Sequence, residues 1–202
     1  MAGLARLTLT VLAISGCGPV AAPPPPSGEL IAFGGGPGGA ADACFSCHGF
    51  AGEGDAGAPR LAGLGHAYLA KQLADYATAR RPHPAMTPIA RRLSDADARA
   101  AARYYAALPA PPRIAPPPPR LSLYHARVAA PSCADCHGAR GEGKGPAIPA
   151  IAGQPAPYLE EQLRLWRRGV RRNDPGHVMT SAARRLSDEE IAALADYLAR
   201  RP

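Results

Sequence analysis

Aromatic side chains make up only 5% of this 202-residue chain, with a single tryptophan. Valine, isoleucine and threonine together number 17, four of them before residue 15. Strands are built from just these residue types, so a β-sandwich is excluded. Apart from a short stretch near the amino terminus there is no long apolar run, and that stretch falls short of the roughly 20 residues a membrane-spanning helix needs. Large apolar side chains are also too few to give two small domains a self-sufficient core, so a metal, disulfides or a cofactor must complete it. Acidic residues are outnumbered: 16 against 23 lysines and arginines leave a formal charge of +7. That excess speaks to association with an acidic protein, anionic lipid or nucleic acid and not to fold.

The amino terminus combines Arg6 with the apolar run Leu7 to Ile14, the pattern of an export signal. Ile14-Ser15-Gly16-Cys17 follows and resembles the bacterial lipobox, in which the cysteine receives the lipid and becomes the new amino terminus. Cys17 is therefore expected to anchor the protein to a membrane through several acyl chains. The plainer alternative is an ordinary signal peptide and a stray cysteine. Residues 17–28 carry four successive prolines and no periodic apolar pattern, which reads as a stiff tether.

The rest of the chain is a duplication. Cys44-Phe45-Ser46-Cys47-His48-Gly49 returns as Cys133-Ala134-Asp135-Cys136-His137-Gly138, and the agreement continues downstream. Tyr68 and Gln72 match Tyr158 and Gln162; Met86-Thr87 matches Met179-Thr180; Leu93-Ser94-Asp95 matches Leu186-Ser187-Asp188. A proline-rich linker at 109–120 separates domains placed at 29–108 and 121–202. Each copy reads as helical, with Leu159, Leu163, Trp166 and Val170 at helical spacing and a last helix that starts from Ser94 with Asp97 or Ser187 with Glu190.

Cys-x-x-Cys-His is the attachment pattern of c-type haem: two thiolates add to the vinyl groups and the adjacent histidine is placed to bind iron. A zinc site or a dithiol pair could use the cysteines but would not explain a histidine directly after each second one. Four cysteines on haem and Cys17 on lipid account for all five. Met86 and Met179 are the only methionines beyond the initiator and fall at equivalent places in the repeat, which makes them candidates for the sixth iron position. His83 and His177 compete for that position, but their offsets from the methionines differ. His66 and His125 have no counterparts in the other copy and are expected at the surface.

These motifs resemble those of class I cytochrome c, and the duplicated whole resembles the diheme cytochrome c4 family. The resemblance implies an all-α protein of two tandem class I cytochrome c domains around two covalently attached haem c groups. It implies Cys44, Cys47, Cys133 and Cys136 as thioether ligands, His48 and His137 as proximal ligands, and Met86 and Met179 as distal ligands. It also implies that the carbonyls of Pro59 and Pro149 accept the proximal imidazole N–H. Three features depart from the family pattern: the lipobox, a glycine run at 34–39 where the first helix belongs, and the long proline linker, which argues against close packing of the domains.

Gly34 to Gly39 also fits a dinucleotide pattern, but no strand precedes it; Gly138 to Lys144 approaches a phosphate loop, but Gly145 stands where Ser or Thr is required. Arg164, Arg167, Arg168 and Arg171 form a basic stripe, either a solvated face or a docking face for an acidic partner. The expected function is periplasmic, membrane-anchored electron carriage in a respiratory chain. Quinol-cytochrome c oxidoreductase or a dehydrogenase would be the donor, a terminal oxidase or reductase the acceptor, and nucleic acid has no part. A cytochrome subunit of a dehydrogenase complex is the alternative; a diheme peroxidase would want an open or low-potential haem, against which the paired methionines argue.

Overall fold

The computed structural model describes residues 27–111 and 133–201. The leader 1–16, Cys17, most of the tether, most of the linker and His125 lie outside these residues. In the first repeat the helices are α1 (Gly28–Gly34), α2 (Phe45–His48), α3 (His66–Ala77), α4 (Met86–Arg92) and α5 (Asp95–Ala107). The second contributes α6 (133–137), α7 (Ala156–Arg167), α8 (Val178–Arg184) and α9 (Asp188–Ala199). Among the described residues there is no strand, only an isolated bridge between Lys144 and Ile148.

The last helix of each repeat starts where the sequence signals it. Ser94 accepts the Asp97 N–H at 3.1 Å while Asp97 takes the Ser94 N–H, and Ser187 and Glu190 repeat this reciprocal cap. Each cap satisfies two of the donors that a helix start leaves unpaired. The first helix, by contrast, is not displaced by the glycine run. It lies ahead of it, at Gly28–Gly34, and Gly35 stops it in the left-handed conformation at φ 77°, its N–H returning to the Ile31 carbonyl. At its other end, a Cβ on Gly28 would stand 2.2 Å from the Ala100 carbonyl oxygen, so α1 can rest this closely on α5 only with glycine there.

Packing follows from these helices. Ile31 on α1 packs on Ala100 and Ala101 of α5, while Ala32 joins Leu64, Leu69, Ala102 and Tyr105. In the second repeat Leu159 and Leu163 of α7 meet Ala183 of α8 and Ile191, Leu194, Ala195 and Leu198 of α9. Alanine is prominent in the first core and leucine in the second, and most of the few aromatics gather in the first, where Phe33 meets Phe45, Phe50 and Tyr104.

Candidate cofactor sites and the interface between them

The two Cys-x-x-Cys-His segments form the short helices α2 and α6, each closed by a positive-φ glycine, Gly49 or Gly138. None of these four cysteines is in a disulfide; Cys47 and Cys136 are exposed and Cys44 and Cys133 half-buried. Both histidines are buried, and each places Nδ1 2.8 Å from a carbonyl oxygen: His48 at Pro59 and His137 at Pro149. A carbonyl only accepts, so Nδ1 carries the hydrogen and Nε2 is left with its lone pair. Burial holds both imidazoles below their ordinary pKa, although the carbonyls work against it. The neutral ring with a free Nε2 is the form that binds iron.

Met86 and Met179 are half-buried at the starts of α4 and α8. In the first repeat His83 Nδ1 accepts the backbone N–H groups of Ala85 and Met86, at 3.2 and 3.1 Å. In the second, Asp174 does the equivalent work, taking the Thr180 N–H at 2.8 Å and its hydroxyl at 3.1 Å. His83 is thus a cap on the methionine turn, and His177 is exposed. His66 is exposed as expected.

The domains pack closely, contrary to the expectation drawn from the proline linker. Their contact is built from matching positions of the two repeats. Arg81 donates to Gln72 Oε1 at 3.0 Å, to Gln162 Oε1 at 2.8 Å and to the Tyr158 hydroxyl at 2.9 Å. Arg171 donates to the same two amide oxygens, at 2.9 and 2.6 Å. Arg81 covers the Tyr76 ring and Arg171 the Trp166 ring, 4.6 and 3.8 Å from the centroids. The arrangement is self-complementary, as in a two-fold dimer, but lies within one chain.

This corrects the basic stripe. Arg171 is 2% exposed and forms the centre of the interface. Arg164 pairs with Glu160 at 2.8 Å, and Arg167 with Asp188 and the Leu186 carbonyl. Only Arg168 of the four is fully exposed, so no continuous docking stripe exists. Charge counted along a helix could not show this, because Arg171 also reaches Gln72 of the other repeat. The recurrence of Tyr68 and Gln72 as Tyr158 and Gln162 was the available signal.

The geometry fits a haem in each half. Besides the free Nε2 atoms, Trp166 Nε1 is buried without a hydrogen-bond partner among the described residues. The guanidinium contacts of Arg81 and Arg171 are to neutral acceptors, and such buried cations call for anions. The carboxylates carried by haem would supply acceptors and charge of the kind these groups lack. The class defined is an all-α protein of two tandem class I cytochrome c domains, a diheme electron-transfer protein.

The comparisons name the family. The family model described as Cytochrome c matches residues 38–108 and 125–201. A thiosulfate dehydrogenase electron acceptor of Stutzerimonas stutzeri (strain A1501) is 40% identical over 210 residues, covering 98% of this chain and 93% of that protein. Cytochrome c4 of Thiocapsa roseopersicina is 39% identical, covering 77% of this chain and 85% of its own length. The solved thiosulfate dehydrogenase (TsdBA) of Marichromatium purpuratum superposes with a TM-score of 0.78 at 39% identity, covering 87% of this chain but only 40% of that longer one. The chain belongs to the cytochrome c family, as a diheme member of the cytochrome c4 kind with two covalently bound haem c groups.

Proposed function

We propose that this chain is the electron acceptor of a thiosulfate dehydrogenase, held at the periplasmic face of a membrane by lipid on Cys17. Cys44, Cys47, His48 and Met86 would hold one haem; Cys133, Cys136, His137 and Met179 would hold the other. Pro59 and Pro149 orient the proximal rings. The haems supply one-electron chemistry, and the protein keeps them shielded and their ligands fixed, which keeps reorganisation small. The domains are taken as 29–108 and 121–202, joined by the linker 109–120 and preceded by the tether 17–28. The observation that carries the donor is the 40% identity to an acceptor of this kind over 98% of the chain.

Oxidised protein mixed with its host's thiosulfate dehydrogenase should become fully reduced on adding thiosulfate, both haems contributing to the visible spectrum. Omitting either the enzyme or thiosulfate should leave it oxidised. If the enzyme leaves it oxidised while quinol-cytochrome c oxidoreductase reduces it rapidly, the general respiratory carrier becomes the better reading; the likeness to cytochrome c4 favours that second reading.

Anchoring has a separate test. Cys17→Ser should move haem-bearing protein from the membrane pellet to the soluble fraction, because the acyl chains contribute most of the membrane affinity. A wild-type protein that is already soluble would refute the anchor.

A further inference from the structure

The Pro59 carbonyl that accepts the His48 ring hydrogen shares one peptide unit with the Arg60 N–H. That N–H does not bond within its own domain: it donates to Gln154 Oε1 of the second domain at 3.0 Å. Gln154 returns the contact, its Nε2 donating to the Arg60 carbonyl at 2.9 Å. Arg60 and Gln154 are 4% and 3% exposed, so water does not compete for these bonds. The Arg60 guanidinium ties the same two loops by donating to the carbonyls of Ala62 and Ala152.

The opposite site is built differently. Pro149 is followed by Ala150, and the repeat position matching Gln154 is Leu64. Ala150 packs against the apolar cluster that contains Leu64. A leucine side chain cannot accept a peptide hydrogen. At a contact whose central arginines and glutamines match pair by pair, this polar link runs in one direction only.

We propose that Gln154 of the second domain is a positioning residue for the iron of the first, acting through the peptide between Pro59 and Arg60. The inference rests on the reading of His48 as an iron ligand. Aligned hydrogen bonds polarise one another, so an acceptor on the Arg60 N–H makes the Pro59 oxygen a better acceptor for His48. A stronger bond at Nδ1 makes Nε2 a better electron donor, which favours the ferric state and lowers the potential. The Arg60 charge acts in the other direction, but it remains in place when Gln154 alone is replaced. His137, whose relay ends against leucine, receives no such push from the first domain.

The test is a redox titration of the intact holoprotein, resolved haem by haem through the NMR signals of the haem methyl groups. Gln154→Leu copies the residue present at the matching position. It should raise the first-domain potential enough to shift the equilibrium for passing an electron between the haems by roughly three- to tenfold toward the first. The second-domain midpoint should stay put, and the His48 Nδ1 proton of the ferrous protein should move upfield as its hydrogen bond weakens. Gln154→Glu, with a stronger acceptor, should move the His48 proton the other way and lower the first-domain midpoint by more than the second, which feels the added charge alone, and it carries the test alone if the leucine variant does not fold. Equal movement of both midpoints, or no movement of the first with an unshifted His48 proton, overturns the proposal. Failure of the underlying reading would look different: a His48 ring that does not ligate iron would show no large paramagnetic shift in the ferric wild type, before any variant is made.

Discussion

Replacing Met86 with alanine should remove about half of the sulfur-to-iron charge-transfer band at the red end of the ferric spectrum, and Met86→Ala with Met179→Ala should remove all of it. The turns that carry these side chains do not depend on the thioethers. In the first repeat His83 accepts two backbone N–H groups, its own N–H donates to the Thr87 hydroxyl at 3.0 Å, and Arg91 donates to the Ala77 carbonyl at 3.1 Å. Arg92 then forms a bidentate ion pair with buried Asp42, locking α4 to the segment after α1. In the second repeat Asp174 and Thr180 provide the equivalent restraint. The alanine variants should therefore stay folded while the potential of the affected haem falls, since thioether ligation raises it. His83 cannot take over through Nδ1 without giving up two backbone donors, at about 0.5–1.5 kcal/mol each. An undiminished band in Met86→Ala would show that sulfur from this residue is not on the iron.

The division between what the sequence discloses and what it hides follows the range of the interactions. Haem attachment is written in five adjacent residues, and the caps of α5 and α9 in four, so both are legible in isolation. The glycine run reads in sequence as an interruption of the first helix; it is a terminator, and Gly35 ends a helix that Ile31 and Ala32 anchor on α5. The interface was hidden for a different reason. Gln72 Oε1 accepts from Arg81 on its own repeat, but also from Arg171 and Asn173 on the other. No local pattern distinguishes an arginine that will cross a domain boundary from one that will face water. The proline linker misled in the same way: a stiff connector sets the reach between domains and says nothing about the complementarity of the faces it brings together. Duplication made that complementarity available, because a face that pairs with its own copy requires matching residues in both repeats, and these are visible once the repeats are aligned.

Arg171→Leu should be far more costly than Arg168→Leu, although the two arginines lie close together in sequence. Arg168 is exposed, and its loss should change stability by no more than about 0.5 kcal/mol. Arg171 serves both glutamines, bonds the Asn173 side-chain oxygen at 2.8 Å and covers the Trp166 ring. Removing one member of a buried charged network costs about 3–5 kcal/mol, because the remaining polar groups stay buried without their partner. For a protein of this size that corresponds to a fall in the thermal midpoint of roughly 6–20 °C, read by calorimetry. The redox readout separates this cluster from the Gln154 relay. Arg81 and Arg171 share their two acceptor oxygens at the boundary, so each cation is felt from both sides, and taking one away removes charge that opposes the ferric state in both domains. Both midpoints should therefore fall together in Arg171→Leu, whereas Gln154→Leu should raise one alone. An Arg171 variant as stable as Arg168→Leu would mean that the buried network does not hold the domains together. A fall confined to the second haem would mean that the guanidinium acts only on its own side.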